Sequence, residues 1–395
     1  MRTALKMTFF LPLFFLVLAA SPLGAEVFIQ CPGDVNGDGI SDDPNIVCIQ
    51  LTAGDGFVKM ADGSDMYVFG FEDVTGTPPD MIMDTGMSAA NFSAPLITAK
   101  EGQQVYLSLT NVGMVARPDL FDPHSVHFHG FPNAAPVFDG EPFASFAIQM
   151  GSTLTYYYNI VVPGTYMYHC HVEAVEHMQM GMLGSLYVRP IQDDDDGLKD
   201  LGIQPPLNQP FQGFAYNDGD GSTGYHAAYP IQIASFDPLF HAADEEIQPL
   251  AFSKMRDVYP MLNGRGYPDT VNPSPIVNQD GYPAQKISSL ITATRGQKIL
   301  LRISSLSTTS FHTLTALGIP MKVVGKDARL LRGLTGNSLY YDTNSVTLGG
   351  GQSADVILDT TNVSAGTYFL YVTNLEHLNN DAEEYGGMMT EIVIN

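Results

Sequence analysis

GTYMYHCHVEAVEHMQMGM, residues 164–182, concentrates three of the chain's ten histidines, a cysteine far from the other two, and a cluster of methionines. A second stretch, HSVHFHG at residues 124–130, adds histidines at 124, 127 and 129. A lone histidine would be read as an ordinary buried side chain. Here six of the ten fall in two short stretches, and the pairs His127/His129 and His169/His171 are spaced by two. In a strand, residues i and i+2 share a face, so each pair points one way. Cys170, between His169 and His171, points the other way. Two imidazoles, a thiolate and a weak axial thioether are the donor set of a blue-copper site.

HxxHxHG followed by HCH…H…GM resembles the multicopper oxidases, which are built from cupredoxin domains. The resemblance extends over about residues 80–395. By position it implies that His124, Cys170, His177 and Met182 are type 1 copper ligands. It likewise implies that His127, His129, His169 and His171 are half of a type 2/type 3 cluster, and that His127, His129, His169, Cys170 and His171 form the catalytic set. Six residues separate Cys170 from His177. Laccase-like members have a shorter spacing, so a longer ligand loop is expected.

The second half repeats the first. EGQQVYLSLTN (101–111) matches RGQKILLRISS (295–305), GTYMYHCH (164–171) matches GTYFLYVT (366–373), and GMLGSLYV (181–188) matches GMMTEIVI (387–394). Val105, Leu107 and Leu109 alternate with polar residues, as in a half-buried strand. Glycines and prolines punctuate such segments, and residues 153–162 are rich in Tyr, Thr and Val. The fold expected is all-β: two tandem cupredoxin-like Greek-key β-sandwiches. The boundaries read as a signal peptide at 1–25, an N-terminal segment at 26–60, a copper-binding domain at 61–190, a linker with loops at 191–225, and a second domain at 226–395. Aligning Gly318 with Gly130 places His312 on His124, but Thr315 and Leu317 on His127 and His129. Tyr371, Val372 and Thr373 fall on His169, Cys170 and His171. The second domain therefore lacks the thiolate and the paired histidines. His312, His377 and Met388 are read as core or surface side chains rather than a residual mononuclear site.

A formal net charge of -24 argues against nucleic acid as a partner, and the acidity is read as solubility. No central segment is long enough to span a membrane. Arg2 and Lys6 precede the apolar run FFLPLFFLVLAA, the pattern of a secretory leader, so a periplasmic or secreted location is expected. In an exported protein Cys31 and Cys48 are expected to pair, leaving Cys170 free. Between them, Asp34, Asn36, Asp38 and Asp42 alternate with glycines. The stretch resembles a thrombospondin type 3 or dockerin-like calcium loop, with a plain polar turn as the equal alternative. The run Asp193–Asp196 is read as a solvated loop, and His226 and His241 remain unassigned.

The functional expectation is an exported copper oxidoreductase. It would oxidise a reductant by single electrons at type 1 copper and reduce O₂ at the histidine cluster. Phenols, Cu⁺, Fe²⁺ and Mn²⁺ all remain open as reductants. The alternatives are a blue-copper electron-transfer or copper-binding protein, and a copper nitrite reductase-like enzyme. The resemblance implies that a full cluster takes paired histidines from two facing domains, whereas this chain has them in the first domain only. A homo-oligomer follows, a trimer before a dimer, with the second domain as a structural partner.

Overall fold

The computed structural model describes residues 27–395, and the leader expected at 1–25 lies outside the described residues. Two β-sandwiches follow one another. In the first, one sheet runs in the order β2 (Asp65–Asp73), β1 (Ile46–Lys59), β4 (Gln104–Gly113), β6 (Thr153–Asn159). The other runs β3 (Ala94–Lys100), β8 (Leu183–Arg189), β7 (Gly164–His169), β5 (His127–His129). β1 pairs parallel with β4, and β3 with β8, while the remaining neighbours are antiparallel. The alternation in β4 works as read. Val105, Leu107 and Leu109 are fully buried and meet Tyr156, Tyr166, Tyr168 and Phe128 between the sheets.

The second domain repeats this plan. The strand Ala227–Phe236 pairs parallel with Lys298–Ser305, as β1 does with β4, and Ile291–Ala293 pairs parallel with Met389–Ile394, as β3 does with β8. Gly366–Val372 takes the place of β7, and His312–Ala316 that of β5.

Three expectations change. The strand β1 lies inside the segment assigned to the N-terminal 26–60, so the first domain begins before residue 61. The reason is that β1 fills the position between β2 and β4. The segment 191–225 is not a free linker. Ala215, Tyr216 and Tyr225 pack on Leu300, Val324 and Ile357, strapping it to the second domain. Within the aspartate run, Asp193 is buried and accepts a hydrogen bond from the Phe214 backbone N–H at 2.8 Å. Only part of that run is solvated.

Cys31 and Cys48 form a disulfide around the 34–42 loop. Asp34 accepts from the backbone N–H groups of Gly37, Asp38 and Gly39 at 2.7, 3.2 and 2.8 Å, and Asp42 accepts from Val35 at 3.1 Å. These side chains close the loop on its own backbone. Among the described residues, no three His, Cys, Asp or Glu side chains bring ligand atoms together there.

The two domains are locked at β7. Thr165 donates to Asp355 at 2.6 Å and its carbonyl accepts from Ser353 at 2.7 Å. Asp355 also takes the Tyr216 hydroxyl at 2.5 Å and lies 3.5 Å from Arg302, itself stacked on Tyr187. Both charges are buried. Removing one partner of such a pair leaves the other charge uncompensated, which costs about 3–5 kcal/mol. Asp355→Ala should therefore lower the free energy of denaturant unfolding by about that amount. A loss under about 1 kcal/mol would mean that the pair contributes no more than an exposed ion pair.

Candidate metal centre

The first group of donors is assembled from four separate pieces of chain. His124 is held by a two-way backbone bridge to Ile148, at 3.0 and 2.8 Å. Cys170 follows the last residue of β7, and its N–H donates to the Met182 carbonyl at 3.1 Å. His177 lies on the short helix Ala174–Gln179, which occupies the lengthened ligand loop, and the Met182 N–H donates to the His177 carbonyl at 2.8 Å. The Nδ1 atoms of His124 and His177 lie 3.9 and 3.2 Å from the Cys170 sulfur, and the Ser125 N–H points at the same sulfur from 3.4 Å. His124, Cys170, His177 and Met182 are all fully buried.

Burial, and then the neighbouring His177, push the His124 imidazole well below its usual range. Burial works the same way on His177. There the Cys170 sulfur, with Asp122 3.5 Å away on the outer edge, overrides it and pushes the group up to about 10. A buried sulfur that favours positive charge beside it is the environment a metal cation would satisfy. Three donors in contact, two nitrogen and one sulfur, with a buried methionine next in the chain, fit copper.

The second group lies across the strand. His127 pairs with His169 in the β5–β7 ladder, and one ligand atom from each of His127, His129 and His169 falls within 4.8 Å of the others. His171 is adjacent, its ring 4.9 Å from that of His127, but does not join that convergent set. Two of the rings are oriented by backbone carbonyls. His127 Nδ1 meets the Asp139 carbonyl at 2.7 Å, and His169 Nδ1 the Cys170 carbonyl at 2.8 Å. His129 Nδ1 faces His169 Nε2 at 3.3 Å, while its Nε2 abuts Gly351 of the second domain. Carbonyls that take one ring N–H leave the other nitrogen bare, the state in which imidazole binds a metal. Burial pushes His169 down to about 3, and burial with the His127 and His171 charges lowers His129.

Sequence reading missed four contributors. Ser125 stitches the two groups, since its N–H meets the Cys170 sulfur and its hydroxyl accepts from the His171 N–H at 3.1 Å. Asp122 and Glu176 converge with His177 on the outer side of the first group. Gly351 has φ +84°, and a Cβ there would stand 2.8 Å from His129 Nε2. Of these, Ser125, Asp122 and Glu176 carry a signal in sequence, their closeness to His124 or His177, and Gly351 carries none. Of the two unassigned histidines, His226 lies beside the Gly202 and Gln209 carbonyls, and His241 Nδ1 meets the Tyr67 carbonyl at 2.6 Å. Both are structural.

Residues 78–193 and 250–391 each match a multicopper oxidase family model, one per sandwich. The chain belongs to the multicopper oxidase family. Among curated relatives, laccase abr2 of Aspergillus fumigatus is 29% identical over 133 residues, 33% of this chain and 21% of that one. Multicopper oxidase MmcO of Mycobacterium tuberculosis is 35% identical over 102 residues, 25% of this chain and 17% of that one. The matched segments thus span about a fifth of these relatives' length. In fold, the chain is similar to the blue copper oxidase of Nitrosomonas europaea. The TM-score is 0.62 at 22% identity, over 87% of this chain and 85% of that one.

The close approach of Gly351 gives a test of the second group. Gly351→Ala must strain a left-handed backbone position and displace the His129 ring. Metal bound by the His127/His129/His169 group should weaken about 10–100-fold, the range for loss of an outer partner. Metal bound at Cys170 should be unaffected. Equal affinity of both groups in the variant and the parent, measured by competition with a chelator, would show that Gly351 does not set the His129 orientation.

Proposed function

We propose that this chain is an exported copper oxidase in which His124, Cys170, His177 and Met182 form the electron-entry site, and His127, His129, His169 and His171 the O₂-reducing site. The observation that carries this reading is that Cys170 belongs to one group while His169, its peptide neighbour, belongs to the other, with the His171 ring beside it. Copper bound in the first group supplies one-electron redox chemistry, and copper in the second supplies a site for O₂. The chain's own part is the connection. Two peptide links join Cys170 to the histidines on the opposite face, and the His169 Nδ1–H, donated to the Cys170 carbonyl, adds a second short path. Full burial of the sulfur keeps water from it. Export is supported by the leader pattern and by the Cys31–Cys48 disulfide, which suits an oxidising compartment.

The outer edge of His177 narrows the reductant. Asp122 and Glu176 stand there, the latter pushed up to about 7 by burial. The Asp122 carboxylate against the electron-entry imidazole favours a cation such as Cu⁺, Fe²⁺ or Mn²⁺ over a phenol. Asp122→Asn should raise KM for Fe²⁺ about tenfold while leaving phenol oxidation within about twofold. An equal effect on both would mean that Asp122 acts only by orienting His177.

His127, His129 and His171 are half-buried, so the second group is open in a single chain. The corresponding end of the second domain exposes Phe311, Leu317 and Leu375, three large apolar side chains without cover. We place these surfaces against one another in a homotrimer, where the second domain of one copy shields the histidines of the next. Cys170→Ser should abolish the thiolate charge-transfer band and oxidase activity while the trimer, measured by light scattering, persists. A blue protein after this substitution overturns the assignment of Cys170, and a monomeric parent overturns the trimer.

A further inference from the structure

We propose that the second domain holds its own mononuclear site for a soft monovalent cation, Cu⁺ foremost, on His312, His377 and Met388. The sequence favoured reading these as core or surface side chains. The structure shows instead that the frame of the Cys170 site is kept intact around them. The rings of His312 and His377 lie 4.9 Å apart at 49°, against 5.0 Å and 55° for His124 and His177. The Met388 N–H donates to the His377 carbonyl at 3.0 Å, as Met182 does to His177 at 2.8 Å. The Val372 N–H donates to the Met388 carbonyl at 3.0 Å, as Cys170 does to Met182 at 3.1 Å. One donor differs: Val372 stands where Cys170 would.

The side chains are also in the state a metal requires. His312 is 1% exposed, and its Nδ1 has no hydrogen-bond partner. The Nδ1 of His377 is likewise buried and unpartnered, although its ring is half-exposed, which gives an ion a way in. An unsatisfied buried polar atom is unusual and calls for an explanation. Moreover, the His312 tautomer is fixed by a one-way chain. Asp257 can only accept, so Ser235 donates to it at 2.6 Å. Ser307 then donates to Ser235 at 2.8 Å, and the His312 Nε2–H donates to Ser307 at 3.1 Å. That leaves the lone pair on Nδ1, the nitrogen that in the first domain faces the sulfur.

Two neutral imidazoles and a thioether, with valine in place of the thiolate, supply no negative charge. Such a set suits a soft, singly charged ion and disfavours Ca²⁺ or Mg²⁺, which need oxygen ligands. The site would bind without colour, because the blue band needs the sulfur of a thiolate.

The test uses the full chain with Cys170→Ser, which removes the one free cysteine, and Ag⁺ as a redox-silent probe. His377→Gln should bind one Ag⁺ fewer per chain than its parent. Met388→Leu and Ser307→Ala should each weaken that Ag⁺ about tenfold, with circular dichroism unchanged in all three. A second variant probes the frame directly. Restoring the donor by Val372→Cys in the same background should give a thiolate-to-Cu²⁺ charge-transfer band that disappears with His312→Gln. An Ag⁺ count unaffected by His377→Gln in a folded protein, or a folded Val372→Cys protein that stays colourless with Cu²⁺, overturns the proposal. Both outcomes are independent of whether Cys170 forms the electron-entry site.

Discussion

The alternation of side chains at the end of β7 is the constraint on which the site depends. Successive residues of a strand point to opposite faces, so a thiol can stand one peptide from two imidazoles and yet belong to a different group. Any loop could bring a cysteine near a histidine. Only an extended strand keeps one group buried in the sandwich with Met182 and His124 while turning the other toward the domain boundary. The strand must then be held rigidly, because a slip of one residue would exchange the two faces. Pairing with β8 along its length and with β5 at His127 and His169 fixes the register.

Holding β7 is also what joins the two domains. Its first residues make the contacts with the second domain, through Thr165 to Asp355 and Ser353, and its last residue, His169, with the two that follow it, carries the ligands. The inter-domain core continues the same function, since Met167 and Leu183 pack with Phe236, Met261 and Leu306. Gly351 reaches His129 from this same interface. The second domain therefore serves the first-domain histidines without donating a ligand. It anchors the strand at one end and orients a ring at the other.

Most of this was legible from residues 124–130 and 164–182, because period-two spacing converts directly into faces. The repeat was legible for the same reason, since the alternating apolar residues of 105–109 and 299–303 recur on matching strands. What could not be read depends on distant parts of the chain meeting. Gly351 is separated from His129 by more than two hundred residues, and nothing near it in sequence signals a histidine. The N-terminal boundary was missed because β1 shows little strict alternation. It is buried on both faces over much of its length, so the periodic signal is weak. The strap at 191–225 was missed because its Asp, Gly and Pro content is that of a loop. Its packing rests on a few aromatics, Tyr216 and Tyr225 among them.

The comparison between the two domains separates what the fold needs from what the chemistry needs. Both keep the parallel pairs, the β7-like strand entered by a glycine, and the hydrogen bonds that place a methionine behind a histidine. A frame retained in a domain that has lost its cysteine cannot be explained by the blue site. Packing alone explains the strands and the buried methionine. It does not explain two imidazoles with buried, unpartnered Nδ1 atoms, since leucine in either place would fill similar space without the cost of an unsatisfied polar group. Nor does it account for a three-link hydrogen-bonded chain ending on Asp257 that selects which nitrogen of His312 stays bare. Polar features that a hydrophobic core would do better without point to a ligand, and the ligand that matches two lone pairs and a thioether is a soft cation.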